Sequence, residues 1–291
     1  MSSSKKRKVD KCRRVNVELV QKPSEYVIKT DPHDITLPAV IVFSGTRGSG
    51  KTYACIKLMK HFETKRYITR TFLLCPTRAS NDLYSNLKTL QDKDCYTDDS
   101  TFLNTIQYII KQVKEDWHNY KMEKWYAQVY QKWLHCSYAL TLQEETLLDY
   151  KCKEPPKFIP KPAHLLIVDD AQGTSLFSNG RSNALNHAVI KHRHIPLTIA
   201  LLAQSWVGIP RVIRLNTTQF AVFKTGDKTQ LKQIYDTFGT TVEMDQFNQL
   251  YKEATDEPHG FLFIDTVPKK EYMRFRSRFN HYLLTSDSTH V

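Results

Sequence analysis

Residues 45–52 carry the most specific chemical pattern in the sequence. They fit the phosphate-loop pattern GxxxxGK[ST] without a gap. Glycines let the backbone turn tightly and direct N–H groups at phosphate oxygens, while Lys51 would reach the β- and γ-phosphates and Thr52 would bind Mg²⁺. A plain glycine turn before a helix would leave Lys51 and Thr52 unexplained. The pattern therefore predicts a nucleoside-triphosphate site formed by Gly45, Thr46, Arg47, Gly48, Ser49, Gly50, Lys51 and Thr52.

Two adjacent acids, Asp169 and Asp170, follow the apolar run 165–168. Ligands bind at the carboxyl ends of strands in α/β sheets, so these acids would face the phosphate loop. Asp169 would then order Mg²⁺ through water, and Asp170 would polarise the water that attacks the terminal phosphate. Acids at a strand end are also common in solvated turns, but the upstream phosphate loop favours the functional interpretation. A base directed at water predicts hydrolysis rather than phosphate transfer to a small acceptor.

A third apolar run, 197–203, ends in Gln204 and Ser205. The Gln204 amide at this strand end would hydrogen-bond the γ-phosphate or the attacking water and report hydrolysis to the sheet. The alternative is an ordinary strand cap.

These motifs occur in an order that resembles the genome-packaging ATPases of the FtsK/HerA superfamily. The order is a phosphate loop, an Asp-Asp strand, Arg193 before the next strand, Gln204-Ser205 at its end, and then the run 208–214. The resemblance covers about residues 38–265 and is strongest to members from large eukaryotic DNA viruses, virophages and Polinton-type elements. Asp170 departs from it, because many members have Glu there, and the basic amino-terminal tail is not required by it.

The resemblance implies a RecA-like (ASCE) sheet in which the Gln204 strand lies between the phosphate-loop strand and the Asp169 strand. It also implies a homo-oligomeric ring that uses ATP and Mg²⁺ to pump double-stranded DNA into a capsid, with capsid or portal-type proteins as partners. Arg193 is the first choice for an arginine finger supplied to the neighbouring subunit. Arg211 and Arg214 are its rivals, and Arg47 could act within its own loop.

Alternating strands and helices predict parallel βαβ units, that is, an α/β P-loop fold. Strands are predicted at 15–19, 26–29, 37–43, 71–75, 165–168, 197–203, 220–223 and 261–265, and 272–279 would pair antiparallel with the last of them. Helices are predicted after the phosphate loop and at 81–90, 102–133, 229–238 and 245–253. The helical segment at about 96–160 would be an insertion in a single domain, 15–291. The near-helical spacing of its aromatic residues favours a packed helix or a subunit contact over base stacking: Trp117, Tyr120, Trp125, Tyr126, Tyr130 and Trp133.

Composition narrows the class of protein. The 291 residues are 41% hydrophobic and 25% charged, which suits a folded domain and excludes wholesale disorder. No apolar run has the length of a membrane span, and the polar, basic start is unlike a secretion signal, so we expect neither secretion nor membrane insertion. The six cysteines form no CxxC pair, which predicts no zinc site and no disulfide framework, and hence a reducing intracellular compartment.

The net charge of +12 is unevenly distributed, since half of it lies in residues 1–14. This predicted disordered tail resembles a nuclear import signal, with the basic segment 4–14 binding an import carrier, and places the protein in a host nucleus or a virion. The rival interpretations are an arm that neutralises nucleic-acid phosphates and a merely solvated tail.

Two further groups of basic residues are candidates for contacts with a DNA backbone. Lys224, Lys228 and Lys232 surround a predicted loop, and Arg274, Arg276 and Arg278 would share one face of a strand. Basic groups of this kind are more often solvated faces.

Three functions remain open. A DNA-packaging motor is favoured. A helicase or other nucleic-acid-dependent ATPase is the alternative, although a helicase would want a second core or fused DNA-binding modules. A P-loop kinase is less favoured, because Asp170 and Gln204 both indicate hydrolysis.

The import signal can be tested apart from the rest of the chain. Residues 1–14 fused to a fluorescent carrier protein should concentrate in the nucleus of transfected cells, because the compact basic cluster is read by an acidic groove on the carrier. The same fusion with Lys5, Lys6, Arg7 and Lys8 changed to Ala is the control and should lose enrichment. A wild-type fusion spread evenly through the cell would remove the import interpretation.

Overall fold

A computed structural model describes residues 26–80, 82–178, 180, 183–239 and 241–284. The basic tail 1–14 and the strand predicted at 15–19 lie outside these residues. Of the second predicted strand, 26–29, only Ile28 pairs, through an antiparallel bridge to Leu37.

The centre of the fold is a nine-stranded sheet with the order β3-β2-β4-β5-β1-β6-β7-β8-β9. All neighbours from β3 to β6 are parallel, and β7, β8 and β9 are added antiparallel. The predicted mostly parallel α/β fold is confirmed, and so is the implied position of the Gln204 strand, β5, between β1 and β4. The strands are β1 Val40–Ser44, β2 Arg70–Leu74, β3 Leu90–Tyr96, β4 His164–Val168, β5 Leu197–Ala203, β6 Gln219–Phe223, β7 Phe261–Asp265, β8 Phe275–Ser277 and β9 His281–Tyr282.

Helices cover both faces of this sheet, which is why its central strands are apolar on both sides. Alternate residues of β1 divide between two cores: Val40 and Val42 face α2, α4 and α7, while Ile41 and Phe43 face α1. The strands β1, β4, β5 and β6 are buried along their whole length. The helices are α1 Lys51–Thr64, α2 Phe102–Cys136, α3 Leu142–Tyr150, α4 Ala184–Lys191, α5 Arg211–Asn216, α6 Lys228–Ile234 and α7 Met244–Ala254.

The prediction of a helix at 81–90 is wrong. The structure has a short 3-10 turn, Asp82–Asn86, followed by β3. The spacing of Leu83, Leu87 and Leu90 resembled a helix because these side chains pack against the α1 face from an irregular segment. β3 was not predicted because it is a polar edge strand in which apolar and polar residues do not clearly alternate. Its buried Asp94 forms an ion pair with Arg70, with 2.7 Å between Oδ1 of Asp94 and Nη2 of Arg70.

The long predicted helix is confirmed as α2, which has two different environments. Its first half packs on the sheet core through Phe102, Ile106, Ile109 and Val113. Its second half forms a small separate core with α3, in which Tyr126 is buried and Trp125, Tyr130 and Trp133 pack around it. The aromatic residues of this helix therefore serve packing, as their spacing predicted.

The remaining predicted segments differ from the observed helices and strands only at their ends. The helix predicted at 229–238 is α6 followed by a π-helical turn, Tyr235–Gly239, and only three residues of the run 272–279 form β8. Within the described part of the chain, none of the helices combines the length and apolar character that crossing a bilayer requires. The cysteines in that part, Cys55, Cys75, Cys95, Cys136 and Cys152, are free thiols.

Candidate nucleotide-binding site

The loop 45–50 leaves β1 and enters α1 in a shape that depends on its glycines. Gly48 and Gly50 have φ values of 76° and 97°, in the left-handed region that favours glycine. Gly45 is required for a different reason, because a Cβ there would lie 2.6 Å from Cβ of Phe223 on β6. The Gly45 N–H donates to the Ala203 carbonyl at 3.2 Å, so the loop is anchored to the end of β5.

Lys51 is the first residue of α1 and folds back over the loop. Its Nζ donates to the carbonyl oxygens of Gly45 at 2.8 Å and Thr46 at 2.9 Å. Partial burial lowers the pKa of Lys51, although the charges of Asp169 and Asp170 act in the opposite direction. The ammonium group is therefore held where a phosphate chain cradled by the loop would meet it.

Thr52 joins the loop to the first acid. Its Oγ1 donates to Oδ2 of the buried Asp169 at 3.1 Å. Oδ2 of Asp169 also accepts a hydrogen bond from the Tyr84 hydroxyl. Oδ1 of Asp169 accepts one from the Asp170 N–H at 2.9 Å. Burial raises the pKa of Asp169, while the hydrogen bonds from Tyr84 and Thr52 partly offset it.

The donor set at this point fits Mg²⁺. One hydroxyl and one carboxylate lie side by side, and Mg²⁺ is usually held by one or two carboxylates together with substrate phosphates. Among the described residues, three or more His, Cys, Asp or Glu side chains nowhere gather into a metal cage. Thr52 and Asp169 could therefore hold a cation that arrives with a triphosphate.

Asp170 lies at the same edge but in a different environment. It is exposed, its φ of 51° is in the left-handed region, and its Oδ2 accepts a hydrogen bond from Thr77 Oγ1 at 2.6 Å. Asp170 thus has a carboxylate open to solvent, while Asp169 has one fixed in the interior.

Gln204 lies beyond β5 and is positioned by a residue that the sequence interpretation missed. Its backbone N–H donates to Oε1 of Gln172 at 2.7 Å, and Nε2 of Gln172 donates to the Ser205 carbonyl at 3.1 Å. Gly208 leaves room for this amide, since a Cβ there would lie 1.9 Å from the Gln172 Nε2. Gln172 therefore clamps the backbone beside Asp170 to the backbone at Gln204.

Three contributors to the site were not predicted: Thr77, Tyr84 and Gln172. Thr77 and Gln172 could have been found, because each follows closely on a strand that ends at the carboxyl edge. Tyr84 gave no such signal, since its segment was interpreted as a helix.

Two cavities flank the loop on the side away from the acids. One, of about 420 Å³, lies between Tyr53 on α1 and the segment that includes His259 and Phe261. The other, of about 460 Å³, lies along Thr46–Ser49. Because the acids lie on the β4 side, a triphosphate with its γ-phosphate toward them would direct its nucleoside toward these cavities.

The candidate arginines occupy different edges of the sheet. Arg193 is exposed and precedes β5, whose seven residues span about 23 Å, so it cannot contact the loop of its own subunit. Arg211 is exposed at the start of α5, on the same edge as the loop, and Arg47 is exposed within the loop. Arg214 is half-buried, with its guanidinium carbon 5.7 Å from the Trp206 ring centre.

The prediction that three alternating arginines share a DNA-facing strand face is wrong. Arg276 is buried, donates to the carbonyls of Met273 and His33, and faces Asp265. The neighbouring Arg274 and Arg278 are outside β8, and each forms an ion pair with a glutamate. The other candidate group is exposed, as a contact with DNA requires: Lys224, Lys228 and Lys232.

No family model matches the sequence, and no curated protein matches it. Solved structures with a similar fold include the genome packaging NTPase B204 from Sulfolobus turreted icosahedral virus 2 in complex with AMP, which is 14% identical over 82% of this chain and 96% of that one, with a TM-score of 0.44. The DNA-packaging ATPase B204 from Sulfolobus Turreted Icosahedral Virus is 16% identical over 79% of this chain and 93% of that one, with a TM-score of 0.46. EssC (ATPases 2 and 3) from Geobacillus thermodenitrificans is 15% identical over 79% of this chain and 38% of that one, with a TM-score of 0.44.

The position of Arg193 leads to a subunit-mixing experiment. Arg193→Ala should keep nucleotide binding but lose ATP hydrolysis, and adding Lys51→Ala subunits should restore part of it, because a mixed interface can pair an intact loop with an intact arginine. Phosphate release is measured for each variant and for the mixture. Lys191→Ala, an exposed cation at the end of α4, is the control and should hydrolyse ATP normally. An inactive mixture would assign the finger to another arginine.

Proposed function

We propose that the protein is an ATP-hydrolysing motor that translocates double-stranded DNA into a viral capsid. The observation that carries the proposal is the 3.1 Å contact between Thr52 Oγ1 and Asp169 Oδ2. This contact supports the proposal because Thr52 and Asp169 lie close enough for one metal-bound triphosphate to contact both. The sequence resemblance to packaging ATPases supports the finer assignment to DNA packaging.

Different residues of the site are assigned different steps of ATP hydrolysis. The backbone of 45–50 and the Lys51 ammonium would bind the phosphates. Thr52 and Asp169 would hold Mg²⁺, which would supply positive charge beside the γ-phosphate. Asp170 accepts the proton of the attacking water, and the Gln204 amide orients that water. The new bond joins the water oxygen to the γ-phosphorus, and the bond to the β–γ bridging oxygen breaks, which leaves ADP and phosphate.

Contacts with DNA are assigned to the loop after β6 and to α6, which follows that loop. Lys224, Lys228 and Lys232 are exposed at the carboxyl edge, the edge that also carries the nucleotide site. Cations there would engage the phosphate backbone of a duplex regardless of sequence, as a translocating ring requires. In this proposal the ring also docks on a capsid or portal-type protein, and the tail 4–14 directs import into a host nucleus.

Hydrolysis measured with and without DNA tests the proposal. The protein should be an oligomer that releases phosphate from ATP, and long duplex DNA should make this release faster. Lys51→Ala should lose the activity, because the variant lacks the ammonium group that would contact the γ-phosphate. Lys60→Ala, an exposed lysine on the same helix, is the matched control and should behave as the wild type.

The pattern of results separates the alternatives. Stimulation by single-stranded nucleic acid alone would favour the helicase or another nucleic-acid-dependent ATPase. A monomer that is indifferent to DNA would favour the kinase and contradict the motor.

A further inference from the structure

The turn that follows β5 is held from two sides by glutamine side chains. On the β4 side, Gln172 bonds the backbone of Gln204 and Ser205. On the other side lies Gln230 of α6, whose Oε1 accepts hydrogen bonds from the Trp206 N–H at 2.7 Å and from Ser205 Oγ at 3.0 Å. An amide oxygen has two lone pairs, so one oxygen can accept both bonds. The turn that carries Gln204 is therefore attached to α6.

The helix α6 presents different residues to the interior and to solvent. Gln230 is 6% exposed, whereas Lys228 and Lys232 are exposed. Successive residues of an α-helix are about 100° apart around its axis, so the positions two before and two after Gln230 lie on roughly the opposite side of the helix. One short helix thus directs cations toward solvent and a buried amide toward the turn after β5.

Gln230 is also bonded to the loop that carries Lys224. Its Nε2 donates to Thr225 Oγ1 at 3.3 Å, and its backbone N–H donates to Asp227 Oδ1 at 3.1 Å. The Asp227 N–H in turn donates to Thr225 Oγ1 at 3.2 Å. Because these bonds join the loop to the start of α6, a displacement of the lysines would be shared by Gln230.

Aromatic packing joins the same two segments. Trp206 is fully buried, and its ring centre lies 4.5 Å from that of Phe220 on β6. The Phe238 ring, in the π-helical turn after α6, lies 5.1 Å from that of Trp206. Close-packed interiors transmit displacements rather than absorb them. The turn after β5 and the α6 segment are therefore expected to shift together.

We propose that Gln230 is a positioning residue that couples the lysines assigned to DNA with the Gln204 amide at the nucleotide site. This inference rests on the proposed function, which gives those lysines and that amide their roles. When a duplex displaces α6, the two hydrogen bonds to Gln230 Oε1 carry the displacement to the turn and so to Gln204. Coupling between two binding sites is reciprocal, so a bound triphosphate should change the affinity for DNA through the same bonds.

The affinity for DNA in two nucleotide states tests this coupling without turnover. Fluorescence anisotropy of a labelled duplex is measured with the complex of a non-hydrolysable ATP analogue and with the ADP complex. The two affinities of the wild type should differ by about 5-fold or more, and in Gln230→Leu the difference should shrink to less than about 2-fold. Leu has a similar size but no amide. Affinity in the ADP complex should stay near the wild-type value, because the lysines are unchanged.

Two further variants locate the effect in the hydrogen bonds. Ser205→Ala removes one of the two donors to Gln230 Oε1 and should reduce the difference in part. Adding Ser205→Ala to Gln230→Leu should have no further effect, because changes that act through one contact are not additive. Gln233→Leu removes a half-buried amide from the same helix and is the matched control, which should keep the full difference.

Three results would overturn the Gln230 assignment and leave the motor standing. One is a Gln230→Leu variant that keeps the full wild-type difference. Another is a wild type whose affinity for DNA is the same in both nucleotide states, although duplex DNA accelerates its phosphate release. If Gln230→Leu lost its thermal unfolding transition, Ser205→Ala would decide, and the third result is an unchanged difference in that variant.

Failure of the proposed function would be seen separately, in the wild type alone. A wild type that releases no phosphate from ATP, or that binds no duplex DNA, would overturn the motor and the Gln230 assignment with it.

Discussion

The phosphate loop and Asp169 belong to strands that are not neighbours, and the carboxyl edge of the sheet is arranged around bringing them together. β5 lies between β1 and β4, so the Thr52 hydroxyl must reach past its end to bond Asp169 at 3.1 Å. Two features of β5 suit this approach. It ends in the small Ala203, whose carbonyl anchors the loop through the Gly45 N–H, and the next side chain, Gln204, is exposed.

A buried carboxylate is costly unless donors surround it, and the structure supplies them from three directions. The Asp169 carboxylate receives the Thr52 hydroxyl from α1, the Tyr84 hydroxyl from the segment after β2, and the Asp170 N–H from its own chain. These hydrogen bonds fix the direction of the buried carboxylate beside the phosphate loop.

The parts of the fold that lie outside the parallel core have separate roles. The antiparallel addition beginning at β7 forms a wall beside the loop, where His259 Nδ1 lies 3.3 Å from the Ser49 carbonyl. The helical pair α2 and α3 lies between β3 and β4 in the chain, and its distal half has a core of its own. Glu123, buried in that half, is paired with Lys151 at 2.8 Å. The distal half of α2 and α3 is thus stabilised by its own contacts and not by contacts with the candidate nucleotide-binding site.

The sequence by itself determined the phosphate loop, the acid pair, the apolar strands and the long helix, because each depends on a local pattern of residue types along a few turns or one strand. It did not determine β3, whose polar edge position removes the alternation that marks a strand, nor the burial of Arg276, whose partners come from segments distant in sequence. Only the tertiary structure revealed Tyr84, Thr77 and Gln172 beside the acids. The parallel pairing of β5 with β1 put Arg193 at the opposite edge from the loop. The physical reason is the same throughout: a hydrogen bond between side chains tens of residues apart depends on how strands are ordered and crossed, and a single sequence carries no local pattern for that.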